Sequence, residues 1–237
     1  MCTLEKRGPL FVLTLTSEDD EQHRLNPTLL SSLLAALSQV KSQATAATAL
    51  VTTAQGRFFC NGFDFSWARA AADPHVARLR LRCMSDSLRP VIAVLLSLPI
   101  PTVAAVTGHA AAAGAVLALA HDYVLMRGDR GVLYMPELDL GITLPDYFAA
   151  IMRAKVAAAR DLVLAGRKVR AEEAVEMGIV RSAHDSAEST AEAAMRLGEE
   201  LARKEWVGEA YAEIRRSLYP EVCDVLGLAP KSFVSKI

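Results

Sequence analysis

The chain has 237 residues, of which 52% are hydrophobic and 22% charged, a composition typical of a globular protein with a sizeable core. Lys and Arg number 26 against 27 Asp and Glu, and this near-neutral balance argues against a protein that binds nucleic acid or an anionic membrane through bulk charge. Cys2, Cys60, Cys83 and Cys223 are widely separated, so we expect free thiols rather than a disulfide scaffold or a structural zinc site.

The first half of the chain predicts alternating strands and helices. Residues 9–16 are rich in β-forming side chains and predict a strand, and residues 47–54 predict a second one. Between them, Asn26 and Pro27 begin a helix that extends to about residue 41, with Asn26 as its N-cap. The elements expected next are a loop over 55–63, helices over about 65–71 and 75–98, a strand over 102–107 and a small-residue helix over 110–120.

A stretch without Asp, Glu, Lys or Arg extends from Pro90 to His121, long enough to cross a bilayer. Pro99, Pro101 and Gly108 divide it into pieces that are each too short to span a membrane. We therefore interpret this stretch as the buried centre of a core rather than as a membrane helix.

The second half predicts short strands over 122–127 and 132–135 and then a mainly helical pattern from residue 145. Strands that alternate with helices are typical of an α/β protein with a largely parallel sheet. We expect residues 1–185 to form the core with the functional site, and residues 186–237 to form a C-terminal helical region of the same structural unit.

Two loops combine small residues with a following helix. In the segment RFFCNGFDF, Gly62 permits an unusual backbone angle and Asp64 is placed to cap the next helix, although an ordinary capped turn explains both residues. In the segment TGHAAAAGA, which begins at Thr107, tiny side chains leave the amides at a helix start open to close approach. Tight packing of a central helix against the sheet is the alternative explanation.

A third segment, LYMPELDLGI, contains a candidate catalytic acid. Glu137 lies among Met, Pro and Leu residues, and a carboxyl group in apolar surroundings has a raised pKa that suits a general base. An exposed loop glutamate is the alternative that one sequence leaves open.

Taken together, these motifs resemble the crotonase superfamily, that of the enoyl-CoA hydratases and isomerases, from about Leu10 to Tyr219. The resemblance rests on motifs that occur in the family's order, namely RLNP, GRFFCNGFD, AVTGHAxxxG, HDY and MPELDLG. The residues of the second and fourth motifs are most similar to those of the plant peroxisomal delta-3,delta-2-enoyl-CoA isomerases. The resemblance implies an α/β fold with a spiral core of ββα repeats and a C-terminal helical region.

The resemblance also implies an oxyanion hole for a thioester carbonyl, made by two main-chain amides. These amides align with Phe63 and Ala113. At the second position the family often has a glycine run, whereas this chain has Ala111-Ala112-Ala113-Gly114, and the extra methyl groups narrow the approach to Ala113.

A second departure from the family pattern separates two activities. Hydratases of the family use two glutamates, which align with Val116 and Glu137 here. Valine takes no part in acid–base chemistry, whereas one carboxylate is enough to move a proton from C2 to C4 of a 3-enoyl-CoA. The resemblance thus favours a delta-3,delta-2-enoyl-CoA isomerase of fatty-acid β-oxidation, with Glu137 as the catalytic base and no metal or redox cofactor, because CoA is part of the substrate.

Two other functions are compatible with the sequence. The first is another reaction of the family, such as hydration of a 2-enoyl-CoA or thioester hydrolysis, and the second is a non-catalytic scaffold. By resemblance, the acyl-CoA lies along the first two motifs, and Tyr147 and Phe148 are expected near its acyl chain. The substrate-binding residues implied in this way are Arg24, Leu25, Cys60, Asn61, Gly62 and Asp64.

The resemblance implies a homotrimer or hexamer with an acyl-CoA as its small-molecule partner. The last three residues, Ser235-Lys236-Ile237, resemble the peroxisomal address Ser-Lys-Leu with a conservative change at the end. We therefore expect a peroxisomal location, with the cytoplasm as the alternative.

Overall fold

Ten strands and ten helices alternate along residues 1–16 and 21–228, the part of the chain that this computed structural model describes. The strands are β1 (Cys2–Arg7), β2 (Leu10–Leu15), β3 (Ala49–Ala54), β4 (Phe58–Cys60), β5 (Thr102–Val106), β6 (His109–Ala111), β7 (Tyr123–Arg127), β8 (Val132–Tyr134), β9 (Val169–Arg170) and β10 (Ser182–His184). The helices are α1 (Pro27–Gln43), α2 (Phe65–Arg69), α3 (Pro74–Ser97), α4 (Ala113–Leu119), α5 (Asp146–Lys155), α6 (Ala159–Val163), α7 (Ala171–Glu176), α8 (Ala187–Ala202), α9 (Gly208–Leu218) and α10 (Pro220–Val225).

The strands form two sheets. The six-stranded sheet has the order β1-β2-β3-β5-β7-β10 and is parallel except for the β1–β2 hairpin. The four-stranded sheet has the order β4-β6-β8-β9 and is parallel except for its last pair. The prediction of an α/β protein with a largely parallel sheet is confirmed.

The centre of the large sheet is buried on both faces, as parallel sheets require. All six residues of β3 are buried. Leu50 points into the main core with α1 and α3, whereas Val51 joins a smaller cluster with Ala194 and Leu201 of α8. Helix α8 therefore covers the opposite face of the sheet from the rest of the core.

Several elements differ from the expected ones. The expected helix over 110–120 begins at Ala113, because residues 109–111 form β6, and the expected loop over 55–63 contains β4. Three-residue strands are too short to show an alternating pattern. Strand β1 was not expected because Glu5, Lys6 and Arg7 are charged, which suits the edge position that β1 occupies.

The caps at two helix starts are as the sequence predicts. The Asn26 side chain accepts a hydrogen bond from the Leu29 N–H at 2.9 Å at the start of α1. Asp64 accepts one from the Trp67 N–H at 2.9 Å at the start of α2. The charge-free stretch becomes the end of α3, β5, β6 and α4. In the two described segments no helix is long and apolar enough to cross a bilayer.

A buried ion pair ties the C-terminal helices to the core. Arg215 of α9 is 3% exposed, and its guanidinium contacts both carboxylate oxygens of Asp122 at 2.6 Å. The same guanidinium donates to the carbonyls of Leu96, Leu98 and Ile100, where α3 ends. Burial alone would raise the pKa of Asp122, but the Arg215 charge, with smaller help from Lys155 and Thr102, holds it below the usual value.

Candidate active site

The two loops that the sequence singled out lie side by side. Leu25 forms a parallel bridge with Phe63, in which the Leu25 N–H donates to the Gly62 carbonyl at 2.8 Å and the Asp64 N–H donates to the Leu25 carbonyl at 3.2 Å. The backbone N–H and carbonyl of Leu25 therefore both bond to the loop that contains Phe63. As a result, the Phe63 N–H faces away from Leu25.

Glycine is required at two positions where backbones approach each other closely. Gly62 has φ +74°, and an added Cβ there would lie 3.0 Å from the Ala112 Cβ and 3.6 Å from the Ala113 nitrogen. At Gly114 an added Cβ would lie 2.2 Å from the Cys60 carbonyl oxygen. Because neither position has room for a side chain, the loop after β4 is pressed directly against the first turn of α4.

Two main-chain N–H groups are left available at this junction. Ala113 is the first residue of α4, and the first intrahelical bond is made by Val116, so the Ala113 N–H has no helical acceptor. Within residues 1–16 and 21–228, neither it nor the Phe63 N–H donates to a protein acceptor. Paired unused N–H groups of this kind are suited to an oxyanion.

The residue before α4 has a strained backbone. Ala112 has φ +50° and ψ −126°, a conformation that L residues other than glycine rarely adopt, and its N–H donates to the Tyr134 carbonyl at 3.0 Å. This residue is one of the alanines that replace the glycine run. The chain keeps the turn despite the methyl group, and the Ala112 side chain forms part of the cavity wall.

Glu137 is buried beside this junction, although it lies in a turn. The Glu137 side chain follows β8 and is 8% exposed, whereas the neighbouring Leu138 and Leu140 are 56% and 48% exposed. The turn is closed by the Ile142 N–H, which donates to the Glu137 carbonyl at 2.9 Å, and Gly141 supplies the positive φ that it needs. A turn that buries an acid and exposes two leucines points the carboxyl group into the protein.

The carboxyl group of Glu137 is poorly satisfied. Its Oε2 atom is buried and has no hydrogen-bond partner within the described ranges. Burial raises the pKa of Glu137 above the usual value for a glutamate, and a hydrogen bond from its own backbone N–H opposes this effect. A buried carboxyl with a free oxygen and a raised pKa is suited to accept and return a proton.

The junction and the acid open into one cavity of about 370 Å³. Phe63, Ala112, Glu137 and Phe148 line the cavity. One face of α3 forms a further wall, whose residues recur at helical spacing, namely Arg78, Leu81, Arg82, Ser85, Asp86 and Arg89. The contribution of α3 to the cavity was not predicted, although the helical spacing of these residues indicates that they share one face.

The other predicted binding residues hold the loops together. Asn61 Nδ2 and Arg24 Nη2 donate to Gln22 Oε1 at 2.7 and 2.6 Å, and the Cys60 thiol donates to the His23 carbonyl at 3.1 Å. Burial raises the pKa of the Cys60 thiol to about 12, so it is not a nucleophile at neutral pH. All of these residues lie at the junction, and none of them lines the cavity beside Glu137.

Two histidines and one aromatic residue occupy structural positions. His121 Nε2 contacts Thr52 Oγ1 at 2.8 Å, and burial lowers the pKa of His121 to about 4 despite its backbone hydrogen bonds. His109 packs edge-on against Phe58. Phe148 lines the cavity as expected, whereas Tyr147 lies behind it and donates to the Ser85 carbonyl at 2.9 Å.

Comparisons with known proteins agree on one family. A family model described as "Enoyl-CoA hydratase/isomerase" matches residues 10–219. The chain is 56% identical to "Enoyl-CoA delta isomerase 2, peroxisomal" and 54% identical to "Enoyl-CoA delta isomerase 3" of Arabidopsis thaliana, over 99% of both chains in each case. It is 49% identical to "Enoyl-CoA delta isomerase 1, peroxisomal" of the same plant, over 94% of this chain and 91% of the relative.

Solved structures share the fold at lower identity. A probable enoyl-CoA hydratase of Mycobacterium tuberculosis superposes with a TM-score of 0.80 at 23% identity, over 95% of this chain and 91% of the other. An enoyl-CoA hydratase of Mycobacterium ulcerans superposes with a TM-score of 0.83 at 21% identity, over 95% and 94%. The predicted crotonase-like fold is confirmed by these neighbours.

Proposed function

The chain belongs to the enoyl-CoA hydratase/isomerase family, and from this premise we propose that it is a delta-3,delta-2-enoyl-CoA isomerase. It converts 3-cis- and 3-trans-enoyl-CoA into 2-trans-enoyl-CoA, a step of fatty-acid β-oxidation. The observation that carries this proposal is the buried carboxyl of Glu137, which faces a cavity that also reaches the loop of Phe63. The names of the plant relatives support the same reaction.

The proposed reaction moves one proton along the acyl chain. The Glu137 carboxylate removes a proton from C2, and the electrons of that C–H bond form the dienolate, whose negative charge lies largely on the thioester oxygen. The protonated Glu137 then donates the same proton to C4, which leaves the double bond between C2 and C3. The carboxyl returns to its starting state, so the cycle requires no metal or redox cofactor.

The Phe63 and Ala113 N–H groups are the proposed donors to the thioester oxygen. Charge on that oxygen is larger in the dienolate than in the substrate, so these donors stabilise the transition state more than the ground state. A single donor of this kind contributes about 3–4 kcal/mol to lowering a barrier. The strained turn at Ala112 supports this role, because it sets the direction of the first amide of α4.

A substrate panel tests this proposal against the other reactions of the family. We expect conversion of 3-enoyl-CoA to 2-enoyl-CoA, followed by absorbance of the conjugated thioester, with no release of free CoA and no 3-hydroxyacyl-CoA by mass spectrometry. Rapid hydration of 2-enoyl-CoA or release of CoA would replace the isomerase assignment by one of those reactions. A protein that binds an acyl-CoA but converts none of these substrates would be a scaffold.

The Val116 position supports isomerisation over hydration. Val116 is completely buried in α4, and by the family resemblance its position is that of the second glutamate of the hydratases. We expect Val116→Glu to add weak hydration of a 2-enoyl-CoA, because hydration needs a second group to orient water. The product measured is 3-hydroxyacyl-CoA, with Val116→Gln as the control that lacks a carboxyl. Equal hydration by both variants would contradict this explanation.

The raised pKa of Glu137 predicts a pH dependence. Isomerisation needs the deprotonated carboxylate, and burial raises the pKa at which this form is lost. The rate should therefore fall as the pH drops through a value above the usual range of a glutamate, about 4.3. A profile of kcat/KM against pH measures this value in the free enzyme. An acidic limb at or below the usual value would contradict the buried position of the base.

The residues proposed to bind the CoA part are Arg24, Leu25, Cys60, Asn61, Gly62 and Asp64. Their position along the two joined loops supports this, because the same loops carry Phe63, the proposed donor to the thioester oxygen. Arg24 is the proposed partner of a CoA phosphate. Asp64 also caps α2, so its contribution to binding is through the shape of the loop.

The proposed location is the peroxisome, through Ser235-Lys236-Ile237, which lie outside the described residues. Two plant relatives are named as peroxisomal, which supports this location. A fluorescent protein that ends in this tripeptide should accumulate in peroxisomes of plant cells, and the same protein ending in Ser-Glu-Ile should stay in the cytosol. A cytosolic signal from the unaltered tripeptide would contradict the address.

A homotrimer or hexamer is the proposed assembly. An apolar cavity of about 570 Å³ beside α9 supports this, because Trp206, Ile214 and Leu218 are 41%, 62% and 65% exposed along it. Light scattering of the purified chain measures the state, and a monomer at micromolar concentration would contradict it.

A further inference from the structure

Three aromatic rings form a chain from the oxyanion loop to α3. Phe63 and Phe148 are stacked, with ring centroids 6.1 Å apart and planes 22° apart. Phe148 meets Tyr147 edge-on at 4.9 Å and 88°. The Tyr147 hydroxyl donates to the Ser85 carbonyl of α3 at 2.9 Å, and Arg89 lies over the Tyr147 ring at 4.8 Å. Ring pairs in these arrangements are more favourable than their buried area alone suggests.

This chain of rings supports the oxyanion loop through the Phe63 side chain. Leu25 fixes Phe63 from one side through the bridge, but Gly62 has no side chain and a backbone that tolerates many angles. The Phe63 side chain and the Phe63 N–H belong to the same Cα, so a ring that cannot move restricts the φ angle that directs the N–H. Phe148 is 2% exposed and therefore has little freedom of its own.

The same residue also connects the two halves of the oxyanion site. Phe148 lies in the first turn of α5, where its N–H donates to the Pro145 carbonyl at 3.1 Å. Helix α5 packs against α4, whose first residue is Ala113. A displacement of Phe148 thus changes the position of the Phe63 N–H relative to the Ala113 N–H. It removes neither of these two groups.

We propose that Phe148 is a positioning residue for the isomerisation, acting through its stack on Phe63 to hold the Phe63 N–H at the thioester oxygen. This role rests on the proposed isomerase function. Phe148 contributes no proton and no hydrogen bond, so beyond its apolar contact with the cavity its main effect is on the step in which charge grows on that oxygen. Ground-state binding of an acyl-CoA, in which the oxygen carries little charge, should depend on it much less.

The test is a double-mutant cycle with Phe148→Leu and Phe63→Leu, which remove the rings but keep the backbone N–H groups. Each single variant should lower kcat for a 3-enoyl-CoA by about tenfold, part of the loss seen when a whole donor is removed. KM and the Kd for a saturated acyl-CoA should stay within about twofold. The double variant should be no slower than the slower single one, because both substitutions remove the same stack.

Loss of stability is controlled by Leu37→Ala, a buried leucine of α1 that lies outside the cavity and is 1% exposed. This variant should unfold at a lower temperature and keep the kcat of the unaltered chain. Unchanged kcat in Phe148→Leu, losses that multiply in the double variant, or an equal loss of kcat in Leu37→Ala would overturn the positioning role. Failure of the unaltered chain to isomerise any 3-enoyl-CoA would instead overturn the proposed function, and this role with it.

Discussion

Glu137→Gln is expected to lower kcat for isomerisation by about 10⁴-fold, and the two main-chain donors that remain account for a residual rate above the uncatalysed one. The amide has almost the same shape as the carboxylic acid but cannot accept the C2 proton, and general acid–base catalysis contributes about 10²–10⁴-fold. The other acids that line the cavity, Asp86 and Asp146, are each paired with an arginine of α3 and are poor substitutes for Glu137. The measurement is kcat with a 3-enoyl-CoA at saturating concentration.

Binding should survive the same substitution. The free Oε2 of Glu137 contacts no protein donor, so the amide breaks no hydrogen bond from another residue. Titration with a saturated acyl-CoA should therefore give a Kd within about threefold of the original, or about 0.7 kcal/mol. Asp139→Asn is the matched control, since Asp139 is exposed two residues further along the same turn and should keep full activity. A normal rate in Glu137→Gln would remove Glu137 from the mechanism.

Arg215→Met is expected to lower the free energy of unfolding by about 3–5 kcal/mol. The variant keeps much of the side-chain volume but leaves the buried carboxylate of Asp122 without its counter-charge, which is the costly way to break a buried pair. It also removes the donors to the carbonyls of Leu96, Leu98 and Ile100. Chemical denaturation followed by circular dichroism measures the loss.

Two controls separate this effect from a general effect of losing an arginine. Arg196 forms an exposed pair with Glu192 at 3.6 Å, and Arg196→Met should cost less than about 1 kcal/mol. The double variant Asp122→Asn/Arg215→Met should recover part of the loss, because the unpaired carboxylate of residue 122 is then absent. A loss in Arg215→Met as small as that in Arg196→Met would contradict the anchoring role of the pair.

The contribution of the Asp122–Arg215 pair to the free energy of unfolding depends on pH. The pKa of Asp122 is lower in the folded protein than in the unfolded chain, so the pair contributes its full stability above the unfolded value, about 3.9. This contribution is lost as the pH falls through the lower, folded value. In Arg215→Met the lone carboxyl of Asp122 favours its protonated form, so the deficit of the variant should become smaller as the pH falls.

Much of the fold could be predicted because local sequence patterns determine many of its helices and strands. Asn26 and Asp64 cap the helices that they were expected to cap, and the apolar strands at residues 49–54 and 102–106 form the buried centre of the sheet. The short strand at residues 132–134 was predicted, whereas β4 and β6 could not be, because their three residues are fixed by pairing with distant partners. Arg215 was not recognised either, since its sequence neighbours are those of an ordinary amphipathic helix.

The candidate site could be predicted in its residues but not in its spatial arrangement. Glu137 stands out because an acid is rare among apolar neighbours, but its burial depends on a turn that places two leucines in solvent instead. The strained angle at Ala112 was also hidden, because an alanine in a small-residue run gives no sign of a positive φ. The α3 wall of the cavity depends on the element against which α3 packs. The spacing of the residues along α3 indicates which of them share a face, but it does not specify what that face contacts.

The most direct test of the proton shuttle is an experimental structure of Glu137→Gln with a 3-enoyl-CoA bound. The account predicts the thioester oxygen about 2.7–3.1 Å from the nitrogens of Phe63 and Ala113. It also predicts the side-chain amide of residue 137 about 3–3.5 Å from both C2 and C4 of the acyl chain. A thioester oxygen held elsewhere, or an amide directed away from those two carbons, would contradict it.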